Sequence, residues 1–154
     1  PATPGYENAP TVILQGHMDM VCEKRPDVQH DFEKDGLNLS VKDGYVTANG
    51  TTLGGDDGIA VAYALALLDS TDLPHPALEV LITVDEEIGL LGAVGLDCSV
   101  LKGKRMINMD SEAEGSLWIS CAGGLSAVSH IPVARRRRKT SDKSMRPDGW
   151  SFRF

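Results

Sequence analysis

Three short apolar runs in this chain each stop at acidic or imidazole side chains. Thr11-Val-Ile-Leu14 passes through Gln15-Gly16 to His17 and Asp19. Leu78-Glu-Val-Leu-Ile-Thr-Val84 meets Asp85-Glu86-Glu87, and Arg105-Met-Ile-Asn-Met109 meets Asp110. Short apolar runs bounded by turn-forming or charged residues predict buried strands. Between the first two lies Ile59 to Leu68, apolar nearly all round, which predicts a buried helix whose start Asp56 or Asp57 can cap. Leu37–Val41 and Tyr45–Thr47 alternate on either side of Asp43-Gly44, the pattern of a hairpin. Residues 89–96 predict a short helix or turn, residues 21–36 a loop, and Leu117-Trp-Ile-Ser-Cys121 a fourth strand. Strands interleaved with helices predict an α/β fold with a mixed, mostly parallel sheet flanked by helices.

The 154 residues suit one ordinary domain or part of a larger one. No apolar run approaches the roughly 20 residues that span a bilayer, and no basic-then-apolar leader is present, so neither a membrane partner nor a signal peptide is expected. Cys22, Cys98 and Cys121 are scattered, with no Cys-x-x-Cys pair. They read as reduced thiols of a cytoplasmic protein and exclude a thiolate-rich structural zinc site. They are expected to be core or neutral residues. His30 and His75 are expected as exposed loop histidines. Charge is unevenly divided: of 15 Lys/Arg and 22 Asp/Glu, eight basic and two acidic residues fall in 131–154, leaving 7 against 20 and a net of −13 in residues 1–130. Such a body repels phosphate backbones, so nucleic acid is not an expected partner.

Side chains at the carboxyl ends of parallel strands share one rim, where ligands of α/β sheets bind. His17, Asp19, Glu86, Glu87 and Asp110 all fall there, and Asp56 opens the helix. One imidazole with several carboxylates suits Zn²⁺, Mn²⁺ or Co²⁺. Carboxylates crowded together raise one another's pKa, and a divalent cation removes that penalty. His17 with a carboxylate two residues on is the pairing of a ligand with its orienting partner. Of the adjacent glutamates, one can ligate while the other serves as a general base.

These stretches resemble a known family. His17-Met-Asp19, Thr51-Thr-Leu-Gly-Gly-Asp-Asp-Gly58, Asp85-Glu-Glu87 and Asn108-Met-Asp-Ser-Glu112 look like the successive metal-site motifs of the zinc dipeptidase and carboxypeptidase family. Gly16–Val21, Thr51–Gly54 and Cys121-Ala-Gly-Gly124 are similar to its peptidase D branch, the aminoacyl-histidine or cytosolic nonspecific dipeptidases. The likeness covers roughly residues 11–125. It implies a two-zinc hydrolase of dipeptides, with Co²⁺ or Mn²⁺ able to substitute, acting on small peptides, with full-length relatives that are homodimers. It implies His17 and Asp110 on one zinc, Asp56 bridging, Glu87 on the second, Glu86 as general base, and Asp19 as the active-site carboxylate that holds His17. The same resemblance leaves open another amidohydrolase or deacylase.

Two departures shape the domain expectation. The branch carries a further metal-binding histidine far downstream and a lid or dimerisation domain after the region of Cys121–Gly124, and neither has a counterpart in this sequence. His130, in Ser129-His-Ile-Pro132, carries no matching motif. The chain is therefore expected to hold a partial catalytic domain over 1–130. A fragment of this kind, inactive and binding at most one metal, is the competing expectation. Residues 131–154 reverse the charge through Arg135-Arg-Arg-Arg-Lys139, lose apolar periodicity and resemble nothing in the family. They are expected to be a disordered, basic, non-homologous tail, a fragment end or the product of a shifted reading frame.

Overall fold

The computed structural model describes residues 1–111, 113–124, 127–130 and 132. Strand β1 (Val12–His17) is the axis of a three-stranded parallel sheet. The hairpin β2 (Leu39–Lys42) and β3 (Tyr45–Ala48) and helix α1 (Gly55–Asp69) come next. β4 (Leu78–Thr83) then lies on one side of β1 and β5 (Arg105–Asn108) on the other, giving the order β4-β1-β5. The short helix α2 (Leu91–Val94) and a 3-10 turn at Cys98–Val100 occupy the last crossover. The α/β architecture with a parallel sheet is thus as expected, and the strands overlap the apolar runs, β1 running on to His17.

Position in the sheet explains burial. The central strand buries Ile13 and Leu14, whereas every residue of β5 is exposed. Helix α1 lies on β1 through Ala60 and Ala64, 0 % and 1 % exposed. Residues four apart share a helix face, and two alanines there let the helix come close. The expectation of a helix buried all round is overturned: Ile59, Tyr63, Leu65 and Leu68 are each more than half exposed. A small sheet covers one stripe of a helix, and among the described residues nothing covers the other.

Register decides what meets at the rim. Val12 to His17 pair with Leu78 to Thr83, and Val12 to Gln15 pair with Arg105 to Asn108. Continuing the second ladder sets Asp110 level with His17, and the first ladder sets His17 beside Thr83, three residues before Glu86. In the hairpin, Asp43 (φ 52°) and Gly44 (φ 83°) are both left-handed, which a two-residue type I′ turn requires.

Residues 1–116 form one compact unit, separate from the described residues that begin at Leu117. The predicted strand at Leu117–Cys121 does not form, and Leu117 and Ile119 are almost fully exposed. A strand needs a neighbour to satisfy its N–H and C=O groups, and this stretch pairs with none among the described residues. Residues 131 and 133–154, apart from Pro132 the whole of the basic tail, lie outside the described residues. Among those described, no helix is long and apolar enough to cross a membrane.

Two smaller expectations are corrected. His30 and His75 are half-buried rather than exposed. His30 packs edge-on against Phe32 with ring centroids 4.5 Å apart. The Nδ1 of His75 donates to Pro76 O at 2.7 Å, and its amide donates to Thr3 Oγ1 at 2.9 Å. Cys22, Cys98 and Cys121 are free, as expected, but exposed rather than in the core.

Candidate metal centre

His17 ends the buried central strand and is itself 1 % exposed. Its ring is held from behind by its own chain: Nδ1 donates to the Asp19 carbonyl at 2.9 Å, with Asp19 Oδ1 at 3.4 Å. That bond directs Nε2 outward. Nε2 lies 3.1 Å from Asp56 Oδ1, 3.9 Å from Glu86 Oε2 and 4.0 Å from Asp110 Oδ2. Three carboxylates from three separate elements thus face one nitrogen.

Each carboxylate arrives there for a local reason. Asp56 belongs to the irregular first turn of α1, where Asp56 and Asp57 have non-helical backbone angles and are joined by a cis peptide bond. Regular helix begins after Asp57. Glu86 and Glu87 sit in the turn after β4. Asp85, left-handed at φ 55°, reverses the chain there, a conformation Asp tolerates better than most residues. The Glu87 amide donates to Asp19 Oδ2 at 3.1 Å, tying this turn to the end of β1. Asp110 follows β5 by two residues.

The electrostatics are those of a crowded anionic site. Burial alone would keep His17 neutral, but the hydrogen bond to Asp56, the charges of Asp110 and Glu86 and the Asp19 carbonyl outweigh it, and the pKa is raised. Burial pushes the Glu86 carboxyl up; His17 opposes this, while Asp110, Glu87 and Asp19 add to it. Asp19 moves the other way: burial would raise it, but the amides of Glu86 and Glu87 hold its carboxyl below the usual range. One of its oxygens, Oδ1, is buried without a hydrogen-bond partner.

This donor set fits a divalent cation. Ligand atoms of His17, Asp56 and Asp110 lie within 4.8 Å of one another, and so do those of His17, Glu86 and Glu87. All six residues expected at the site, His17, Asp19, Asp56, Glu86, Glu87 and Asp110, are brought together. Two residues were not anticipated as part of it: Gly16, and Asp57, which was weighed as a helix cap.

Comparison with known proteins agrees. Residues 13–117, most of the chain, match the profile of peptidase family M20/M25/M40. The chain belongs to that family. It is 46% identical over 135 residues to the cytosol non-specific dipeptidase of Escherichia coli K12, covering 88% of this chain and 28% of that protein. It is 33% identical over 114 residues to the uncharacterized protein YqjE of Bacillus subtilis, covering 71% of this chain and 28% of that one. Among solved structures, the aminoacylhistidine dipeptidase of Vibrio alginolyticus superposes with a TM-score of 0.72 at 50% identity, over 75% of this chain and 24% of its own. The aminopeptidase PepT of Bacillus cereus gives 0.56 at 35% identity, over 73% and 28%. The chain therefore spans about a quarter of the length of the M20/M25/M40 proteins it matches. The rim described above lies within the matched region.

Proposed function

We propose that this chain carries the first part of a metal-dependent dipeptidase site, in a parent protein that hydrolyses short peptides with two zinc ions. The observation that carries the reading is the convergence on His17 Nε2 of Asp56, Glu86 and Asp110. Similarity to one dipeptidase of known sequence and one of known structure supports the substrate class.

In this reading His17 and Asp110 would hold one ion and Glu87 the second, with Asp56 available to both. Bound there, the ions supply Lewis acidity and a water that ionises near neutral pH. Glu86, whose carboxyl is pushed up by burial and by its acidic neighbours, would take a proton from the attacking water and give it to the leaving amine nitrogen. Asp19 fixes the site mechanically: its carbonyl orients the His17 ring, and its carboxylate anchors the Glu87 amide.

A second reading has its own observation. Both three-residue groups draw on His17, whose Nδ1 is engaged by Asp19. One remaining ring nitrogen serves one ion. Among the described residues, then, a single three-residue site can be filled at a time, and the chain alone holds one ion without turnover. Metal analysis of the purified chain, with a small dipeptide panel assayed with and without chelator, separates the two. Two ions per chain and chelator-sensitive hydrolysis support the first reading for the chain itself. One ion and no hydrolysis assign catalysis to the longer protein. No bound metal at all overturns both.

A further inference from the structure

The buried carboxylate of Asp57 is used by neither reading. It is 2 % exposed and, with His17, one of the two largest fully buried side chains of the described residues. Burying a carboxylate is costly unless hydrogen bonds compensate. Here Oδ2 accepts the His17 amide at 3.2 Å.

That bond fills a specific gap. Gln15 O accepts Met109 N at 2.9 Å, so the odd-numbered residues of β1 face β5, and that ladder stops at Gln15↔Asn108. The next amide on that side belongs to His17, and Asp57 takes the place of the missing ladder acceptor. Asp57 is itself part of the irregular first turn of α1, so the bond ties the start of the helix to the end of β1.

Gly16 makes the arrangement possible. A Cβ there would run into Asp57 Oδ2 and stand 2.6 Å from Ala60 Cβ. Glycine inside a strand marks such a close approach.

We propose that Asp57 is a positioning residue. By holding the His17 amide and the start of α1 together, in space that Gly16 leaves open, one side chain sets the separation of His17 from Asp56, its own neighbour. The inference rests on the metal-centre reading and adds to it a residue that touches no ion.

Co²⁺ titration of the full chain tests it, followed by the visible absorption of the bound ion. Circular dichroism checks that each variant is folded. Loss of a partner that orients a metal ligand typically costs about 10- to 100-fold in metal affinity. Asp57→Ala should weaken Co²⁺ binding within that range and alter the spectrum. Asp57→Asn, which keeps one acceptor oxygen, should recover most of the loss. Equal binding by wild type and D57A overturns the proposal. So does equal weakening in D57A and D57N, which would make the charge, not the hydrogen bond, the active feature.

Should D57A fail to fold, amide hydrogen exchange decides. The His17 amide must be protected in wild type and remain so in D57N, and rapid exchange in either overturns the proposal. A wild-type chain that takes up no Co²⁺ would instead overturn the metal-centre reading, and the proposal with it. That outcome is distinct from failure of Asp57 alone, in which wild type binds and D57A binds equally well.

Discussion

Gly92→Ala sets two effects against each other, and their magnitudes decide the outcome. Gly92 lies in α2 without a left-handed φ, so alanine should favour the helix by about 1 kcal/mol on propensity alone. The added methyl, however, would strike Val84 O and stand 2.9 Å from Val84 N and 3.1 Å from Val84 Cγ2. Two of these are backbone atoms, which cannot rotate away. The Gly92 amide also donates to Val84 O at 3.1 Å, so relief requires lengthening that bond. Overpacking costs about 1–3 kcal/mol and the hydrogen bond about 0.5–1.5 kcal/mol. Net destabilisation of about 1–3 kcal/mol is expected, read from urea unfolding of the metal-free chain.

The displacement should also spread to the site. Leu90 N donates to Glu86 O at 2.9 Å and Leu91 N to Asp85 O at 3.0 Å, so a shifted α2 carries the Glu86–Glu87 turn with it. Weaker Co²⁺ binding by G92A should accompany the loss of stability. A variant as stable as wild type, or more so, would refute the steric reasoning. A destabilised variant with unchanged Co²⁺ affinity would refute the link from α2 to the site.

Other expectations are simpler. Leu14→Ala removes a side chain from the buried centre of the sheet and should cost about 2–5 kcal/mol, seen as a lower urea midpoint; a loss under about 1 kcal/mol would mean that β1 is not the core strand. Glu79 accepts the amides of Lys102 and Gly103 at 3.0 and 2.7 Å, which hold its carboxyl below its ordinary value. A depressed folded-state pKa gives stability that is present above the unfolded value and lost as pH falls through the folded one. Unfolding midpoints should therefore fall on acidification below the ordinary glutamate range, less steeply in Glu79→Gln; identical slopes would remove Glu79 from the account. Glu87→Gln should lower the zinc retained by the chain after gel filtration, whereas Glu86→Gln should leave it unchanged, and the opposite pattern would exchange the two roles.

Much of the site was legible because strand ends are marked twice in this sequence. Apolar runs locate β1, β4 and β5, and the residues that break them, His17, Glu86 and Asp110, are the ones the sheet delivers to its rim. Parallel pairing does the rest, so no knowledge of tertiary distance was needed. The face of α1 was not legible. Ile59 to Leu68 is apolar on every side, so its pattern cannot single out the buried Ala60 and Ala64; Ala60 was chosen by closeness to Gly16 rather than by hydrophobicity. Asp57 was hidden for the same reason: its partner, the His17 amide, lies 40 residues away in sequence. The glycine between an apolar run and a histidine was the available sign. Leu117–Cys121 misled because alternation describes what a strand can bury, not whether a neighbouring strand is there to receive it.

The order β4-β1-β5 also sets a timetable for assembly. β1 is synthesised before its partners, which lie far along the chain: Thr83 reaches back 67 residues to Gly16, and Asn108 reaches back 93 to Gln15. Loops of that length are slow to close. Until β5 docks, one edge of the most buried strand stands open to other chains, and Asp110 has not joined His17. The meeting of Asp110 with His17 and closure of the aggregation-prone edge are thus the same late event, so under the proposed metal-centre reading a cation that draws Asp110 towards His17 would also favour folding.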